Sequence, residues 1–222
     1  MIIKINMLIL LSLFTSSLVA QHTSLPVQEW NSTADTPFVL YISGDGGLNQ
    51  FSTEVGTTIY NAGYSITAVN AKTYFWNKKT PDETVADICA YLTRQFNSRK
   101  NQQLVLVGYS FGADVMPFIV NRLPDSIRKK LISVILLSPS RSTDFEIHVS
   151  DILGGNKKRD MDVVAEINRM QVPKAILIFG SDEDGYTAGT IKVKNILSEN
   201  LTGGHHFDGN TDEVVKAILK YM

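Results

Sequence analysis

The sequence predicts an α/β fold with a mostly parallel central sheet, helices on both of its faces and no large cap domain. Three observations lead there. Short apolar runs of strand length alternate with segments whose apolar residues recur at helical spacing. The run Leu104-Val105-Leu106-Val107 feeds directly into Gly108-Tyr109-Ser110-Phe111-Gly112, and a helical pattern follows. The 222 residues, 44% of them hydrophobic, suffice for one well-buried core and not for two large ones.

The elements follow in order. Phe38–Ile42 is a short apolar strand. Residues 51–62 read as a helix closed by Gly63, and residues 64–69 as a second strand. Pro81 opens a helix whose apolar positions Val85, Ile88, Cys89, Leu92 and Phe96 recur every three or four residues. Residues 104–107 form a buried strand, and residues 112–123 a helix stopped before Pro124. Residues 132–137 and 175–179 are further buried strands. Residues 187–197 and 211–221 read as helices. Alternation in Phe145-Glu146-Ile147-His148-Val149 suggests a strand. Residues 139–161 are otherwise the least regular stretch, and the basic run Lys157-Lys158-Arg159 within them reads as a solvated loop.

Gly-x-Ser-x-Gly on its own is a weak signal. Between an apolar strand and a helix it becomes a nucleophile elbow, the sharp turn that lifts a serine hydroxyl above the carboxyl edge of a sheet. A hydroxyl needs a base to take its proton, and a base needs a carboxylate to orient it. The α/β-hydrolase fold supplies these in the order serine, acid, histidine. Ser110 is the candidate nucleophile. Asp182, Glu183 and Asp184 follow the strand that ends at Phe179-Gly180, and His205 and His206 follow Gly203-Gly204. Glu183, the third residue after Gly180, ranks first as the acid, with Asp182 and Asp184 as alternatives. His205, directly after a glycine, is the expected base. His206 is expected to point the other way and to pack or hydrogen-bond within its own loop. His22 sits beside a processing site, and His148 reads as structural. Asp114 reads as a satisfied structural carboxylate.

The developing oxyanion needs backbone N–H donors. Phe111, next after the serine, supplies one. The glycine-rich turn Ser43-Gly44-Asp45-Gly46-Gly47 after the first strand is expected to supply the other, through Asp45 or Gly46.

Composition narrows the remaining classes. With 21 Lys and Arg against 22 Asp and Glu there is no basic excess to suggest nucleic acid. Cys89 is the single cysteine, so an intrachain disulfide is impossible. No nucleotide-binding loop and no metal-ligand cluster is evident, so no cofactor and no metal is expected. Residues 1–20 read as an export signal. Lys4 is the positive end, residues 7–14 are apolar apart from Ser12, and Ala20 precedes the cleavage point. The mature domain is then 21–222. An uncleaved anchor is the alternative. Either way the domain faces an extracytoplasmic space, most simply a bacterial periplasm.

Several strings taken together resemble the bacterial virulence proteins of the AcvB/VirJ family. They are Ser43-Gly44-Asp45-Gly46-Gly47, Tyr74-Phe75-Trp76, Lys79-Thr80-Pro81, the run from Gly108-Tyr109-Ser110-Phe111-Gly112 through Phe118, Asn121-Arg122-Leu123-Pro124, and Phe145-Glu146-Ile147-His148-Val149. The likeness spans nearly the whole mature chain, and its length is similar to the single-domain VirJ form. Leu48 departs from the pattern, standing where a tryptophan is expected. The resemblance implies a periplasmic α/β-hydrolase domain with Ser110 as nucleophile and His205 as its histidine. It implies an ester substrate, with lysyl-phosphatidylglycerol associated with the AcvB members, and secretion-system proteins as partners through the VirJ members. A binding or adaptor role in secretion is therefore the alternative to catalysis. Asp45 either draws the cationic amines of a lysyl ester or only shapes its turn. Tyr74, Phe75 and Trp76 either line a membrane-facing surface or form a satellite core.

Overall fold

The structure, a computed structural model, describes residues 25–148, 158–186 and 189–222. The proposed signal, 1–20, lies outside them, as does Lys157. Seven strands make the main sheet: β1 (Val27–Trp30), β2 (Phe38–Ile42), β3 (Ser65–Val69), β4 (Leu104–Tyr109), β5 (Leu131–Leu137), β8 (Ala175–Gly180) and β9 (Ile196–Leu201). Two short strands, β6 (Ser142–Thr143) and β7 (Met161–Asp162), pair as a separate antiparallel ribbon. The spatial order of the main sheet is β1-β3-β2-β4-β5-β8-β9. β1 runs antiparallel to β3, and every other pair is parallel.

The helices are α1 (Gln50–Asn61), α2 (Ala71–Tyr74), α3 (Pro81–Asn97), α4 (Phe111–Val120), α5 (Asp125–Arg128), α6 (Val163–Ile167) and α7 (Thr211–Leu219). Thr80 caps α3 in a reciprocal box with Glu83, and Pro81 follows at the first turn, where its missing N–H is harmless. The strand period of two divides the interior. Val39, Tyr41, Val105 and Val107 face one way, onto Val55 and Ile59 of α1 and Val214 and Ile218 of α7. Leu40, Ile42, Leu104 and Leu106 face the other way, onto α3, α4 and α6. β2 and β4 are buried throughout, which is why they read as unbroken apolar runs.

The chain leaves β2 toward β3 on one side, while β4 lies on the other. β2 and β4 thus flank the topological switch point, and their carboxyl ends open the crevice where ligands bind in such sheets.

Two expectations need correction. The segment read as a helix over 187–197 contains no helix among its described residues, and its end is the start of β9. The exposed edge of β8 offers a row of backbone groups, and pairing with all six residues of β9 satisfies them. Residues 145–148 form no strand. Their alternation is nevertheless real, because Phe145 and Ile147 are buried. Lys79 N–H donates to Phe145 O and Ile147 N–H to Phe75 O, each at 2.8 Å, so they pair with a loop instead. The helix after the serine also ends earlier than read, at Val120, with α5 following Pro124.

One contact holds α4 against the sheet. A side chain on Gly112 would overlap the carbonyl oxygen of Ile42. Gly112→Ala should therefore destabilise the fold by about 3 kcal/mol, the upper range for an overpacked site. Urea unfolding reads this directly, and an unchanged midpoint would contradict the packing.

Candidate active site

The turn after β4 puts Ser110 in a sparsely populated conformation, φ 52° and ψ −118°. Glycines make the turn possible. A Cβ on Gly108 would lie 2.5 Å from Gly112 O and 2.7 Å from Ala113 N. Ser110 N–H donates to Leu137 O on β5 at 2.8 Å, and Ser110 O accepts from Asp114 N–H at 3.0 Å. The hydroxyl is left standing at the carboxyl edge of the sheet.

His205 lies in the loop between β9 and α7. That loop folds against the end of β8, with Ser181 N–H on Leu201 O at 2.7 Å and Asp182 N–H on Gly203 O at 3.0 Å. Buried Phe207 anchors the loop from below. The imidazole Nε2 then sits 2.8 Å from Ser110 Oγ. Its Nδ1 sits 2.7 Å from Glu183 Oε1. Of the three consecutive acids, Glu183 is the one brought to the histidine. Asp182 and Asp184 are exposed, and Asp182 accepts only from Ser181 Oγ, at 3.0 Å. The second oxygen of Glu183 accepts from Ser138 Oγ at 2.6 Å and from Gly180 N–H at 2.7 Å. Ser138 escaped the sequence reading. Its one signal was a polar residue directly after the apolar run of β5.

Charge follows from these contacts. Burial pushes the Glu183 carboxyl up, but the hydrogen bonds from His205, Ser138 and Gly180 outweigh it and hold it below its ordinary value. The hydrogen bond to Glu183 raises His205 above the usual histidine value. Burial opposes this, and the charges of Glu183, Asp114 and Asp45 add to it. The carboxylate therefore stays ionised around neutrality, while the imidazole becomes a free base only above its raised pKa.

The turn Gly44–Gly47 faces the serine. Gly47 N–H donates to Gly44 O at 2.9 Å, which closes a β-turn. That ring engages the N–H of Gly47 and leaves those of the central residues, Asp45 and Gly46, outside it. Gly44 lies against Ser110, since a Cβ there would come within 3.3 Å of the serine Cβ. Phe111 begins α4 directly after the serine. Asp45 and Gly46 line a cleft beside Ser110, and Phe111 follows the serine directly in the chain. The cleft has a volume of about 400 Å³ and is lined by Asp45, Asn49, Ser52, Tyr109 and His206 beside Ser110 and His205.

His206 packs within its loop as expected, its ring edge-on to that of His205 at 5.3 Å, but its side-chain hydrogen bond goes elsewhere. Its Nδ1 meets the hydroxyl of Tyr109 at 2.6 Å. The same hydroxyl donates to His205 O at 3.4 Å. Tyr109 therefore ties the end of the serine strand to the histidine loop, a role that the motif hides in its variable position. Asp114 is buried and satisfied by Ser140 N–H at 2.6 Å and Ser140 Oγ at 2.7 Å. Burial raises it to about 7, with the Ser140 hydrogen bonds opposing. His148 pairs with Asp144 at 2.8 Å. Among the described residues no group of His, Cys, Asp and Glu is placed to hold a metal ion.

Sheet order, elbow and the Ser110–His205–Glu183 arrangement at the carboxyl edge define the α/β-hydrolase fold. The chain belongs to the VirJ family of bacterial virulence proteins, whose sequence profile matches residues 35–222. Among curated proteins no sequence match is found. Solved structures share the fold at low identity. A lipase-esterase related protein from Clostridium acetobutylicum has a TM-score of 0.63 at 15% identity, over 90% of this chain and 100% of that one. Est1E from Butyrivibrio proteoclasticus has 0.58 at 13%, over 88% and 92%. A thioesterase domain from the curacin biosynthetic pathway has 0.60 at 15%, over 87% and 94%.

The ion pair carries a measurable signature. Glu183→Gln should lower the pKa of His205, because the largest influence raising it is removed. An NMR titration of the imidazole checks this, and an unmoved midpoint would reject the pairing.

Proposed function

We propose that the chain is a periplasmic serine esterase that cleaves a carboxylic ester at or near a membrane. The observation that carries this reading is the unbroken relay from Ser110 Oγ to His205 Nε2 at 2.8 Å and from His205 Nδ1 to Glu183 at 2.7 Å. His205 takes the proton as Oγ attacks the ester carbonyl. The N–H groups of Phe111 and of Asp45 or Gly46 receive the oxyanion, each such donor being worth about 3 kcal/mol in the transition state. The imidazolium returns its proton to the departing alcohol. Water then repeats the sequence on the acyl-enzyme and frees the acid. Glu183 holds the ring in the productive tautomer and balances its charge, with Ser138 and Gly180 fixing the carboxylate in turn.

The cleft favours a small acyl group. Its lining mixes glycine backbone and the Tyr109 ring with carboxylate, amide, hydroxyl and imidazole groups, and among the described residues no aliphatic side chain lines it to receive a long chain. Asp45 supplies negative charge beside the nucleophile. An aminoacyl ester such as lysyl-phosphatidylglycerol fits both features. Export through residues 1–20 places the enzyme on the same side as such a lipid's headgroup. Est1E, which shares the fold, has been solved with bound ferulic acid, a carboxylic acid.

A fluorophosphonate probe should label the wild-type chain and leave Ser110→Ala unlabelled, with turnover of a short aminoacyl ester lost in parallel. Equal labelling or turnover in both would reject the esterase and favour the adaptor role. Turnover should rise with pH through a midpoint above the ordinary histidine value, as the raised His205 deprotonates. A second variant probes the brace behind the histidine. Tyr109→Phe keeps the ring and removes both hydrogen bonds, at a cost of about 1 kcal/mol in positioning, so kcat should fall about fivefold with KM little changed. Steady-state kinetics decide it, and a change confined to KM would place Tyr109 on the substrate instead.

A further inference from the structure

The segment between β3 and α3 splits its three aromatic residues. Tyr74 and Phe75 are buried, while Trp76 is 51% exposed. Phe75 packs edge-on to Phe111 at 5.1 Å and to Phe145 at 5.8 Å. The hydrogen bonds from Ile147 N–H to Phe75 O and from Lys79 N–H to Phe145 O pin the chain on both sides of the indole. Trp76 is thus presented to solvent from a fixed base.

Its surroundings are cationic. Lys72 and Lys78 are exposed and Lys79 is half-buried, with its ammonium 5.1 Å from the Tyr74 ring centre. Among the described residues none of the three forms an ion pair with a carboxylate. Glu146, between Phe145 and Ile147, brings one carboxylate to the edge of this segment, and the other neighbouring acids are engaged elsewhere. Asp82 lies 3.4 Å from Arg122, Glu83 closes the capping box of Thr80, Asp87 accepts from Tyr74 Oη at 2.6 Å, and Asp144 holds His148. Glu83 also feels the charge of Lys79.

The patch borders the mouth of the cleft. It leaves the carboxyl end of β3, the edge that carries the serine. A Cβ on Gly47, which lines the cleft, would lie 3.0 Å from Lys72 Cβ. Phe75 touches Phe111, the residue after the nucleophile.

We infer that Trp76, Lys72, Lys78 and Lys79 form a docking surface for an anionic phospholipid bilayer. The indole enters the headgroup region while the ammonium groups meet lipid phosphates. A protein partner fits less well. Thr73, Asn77 and Lys78, near Trp76 in the chain, are exposed and polar, and one ring is too small an apolar area for the core of a stable protein interface. One interfacial tryptophan with flanking lysines is a normal membrane contact. No helix among the described residues is long and apolar enough to cross a membrane, so docking here is by surface contact. That the docked chain offers its cleft to lipid headgroups rests on the esterase reading; the docking itself does not.

Binding is best measured on the Ser110→Ala chain, so that no turnover alters the lipid. Co-sedimentation with phosphatidylcholine vesicles should be weak, and a phosphatidylglycerol fraction should strengthen it in a salt-sensitive manner. Intrinsic fluorescence should shift to the blue on binding. Trp76→Ala should abolish the shift, since the remaining Trp30 packs against α1 at Gly56. Partitioning should fall about tenfold in Trp76→Ala and in a Lys72→Glu, Lys78→Glu, Lys79→Glu triple variant. In the otherwise wild-type chain both variants should keep full turnover of a water-soluble ester. Absence of binding to anionic vesicles, or equal binding by parent and variants, overturns the inference. Neither result touches the esterase reading, which stands or falls on the soluble ester.

Discussion

The close contact between the start of α4 and the end of β2 is the constraint on which the rest depends. Gly112 meets the Ile42 carbonyl where no Cβ fits, and Gly108 meets the Gly112 carbonyl in the same way. With both side chains missing, the chain can reverse within one residue, and the strain collects on Ser110 at φ 52°. The hydroxyl therefore leaves the fold at the sheet's carboxyl edge. The same closeness brings the β2 turn, with Asp45 and Gly46, to the side of the serine. A single steric requirement thus places Ser110 beside the glycine-rich turn after β2.

His205 and Glu183 are fixed by a separate set of contacts, made by loops and by the ends of β4 and β8. Gly180 sits against the Gly203 and Gly204 carbonyls, so β8 and the histidine loop meet without an intervening side chain. Glu183 then bonds Ser138, Gly180 and His205 at once, and it cannot rotate away without breaking three hydrogen bonds. Tyr109 closes the assembly from the serine strand through His206 and the His205 carbonyl. Each loop is held by two others, so the side chains on mobile-looking segments reach a defined geometry. The nearby Asp114 is spent on Ser140, which leaves Glu183 as the carboxylate that orients the imidazole.

Most of the parallel core was readable because β2, β4, β5 and β8 are buried on both faces and therefore almost wholly apolar, with Ser133 of β5 the polar exception. The edges were not. β1 has a mixed burial pattern, and β9 carries Ser198, Glu199 and Asn200, so neither announces itself as a strand. Both exist because a neighbouring strand offers unpaired backbone groups, a tertiary fact with little local trace. The aromatic triplet shows the same limit. Tyr74, Phe75 and Trp76 are all aromatic, and only packing, of Phe75 on Phe111 and Phe145 and of Tyr74 on Phe75, separates two core residues from one exposed indole.

By itself the sequence determined the fold class, the candidate serine and the order in which serine, acid and histidine candidates occur. Strand burial and the steric need for glycine write themselves directly into residue type. The tertiary structure alone decided which of three consecutive acids meets the histidine, that His206 turns to Tyr109 and that Ser138 supports Glu183. Residues 110, 138, 183 and 205 are far apart along the chain, and adjacent loop side chains point in different directions. Only the folded sheet, by fixing where each loop leaves its edge, selects the ones that converge.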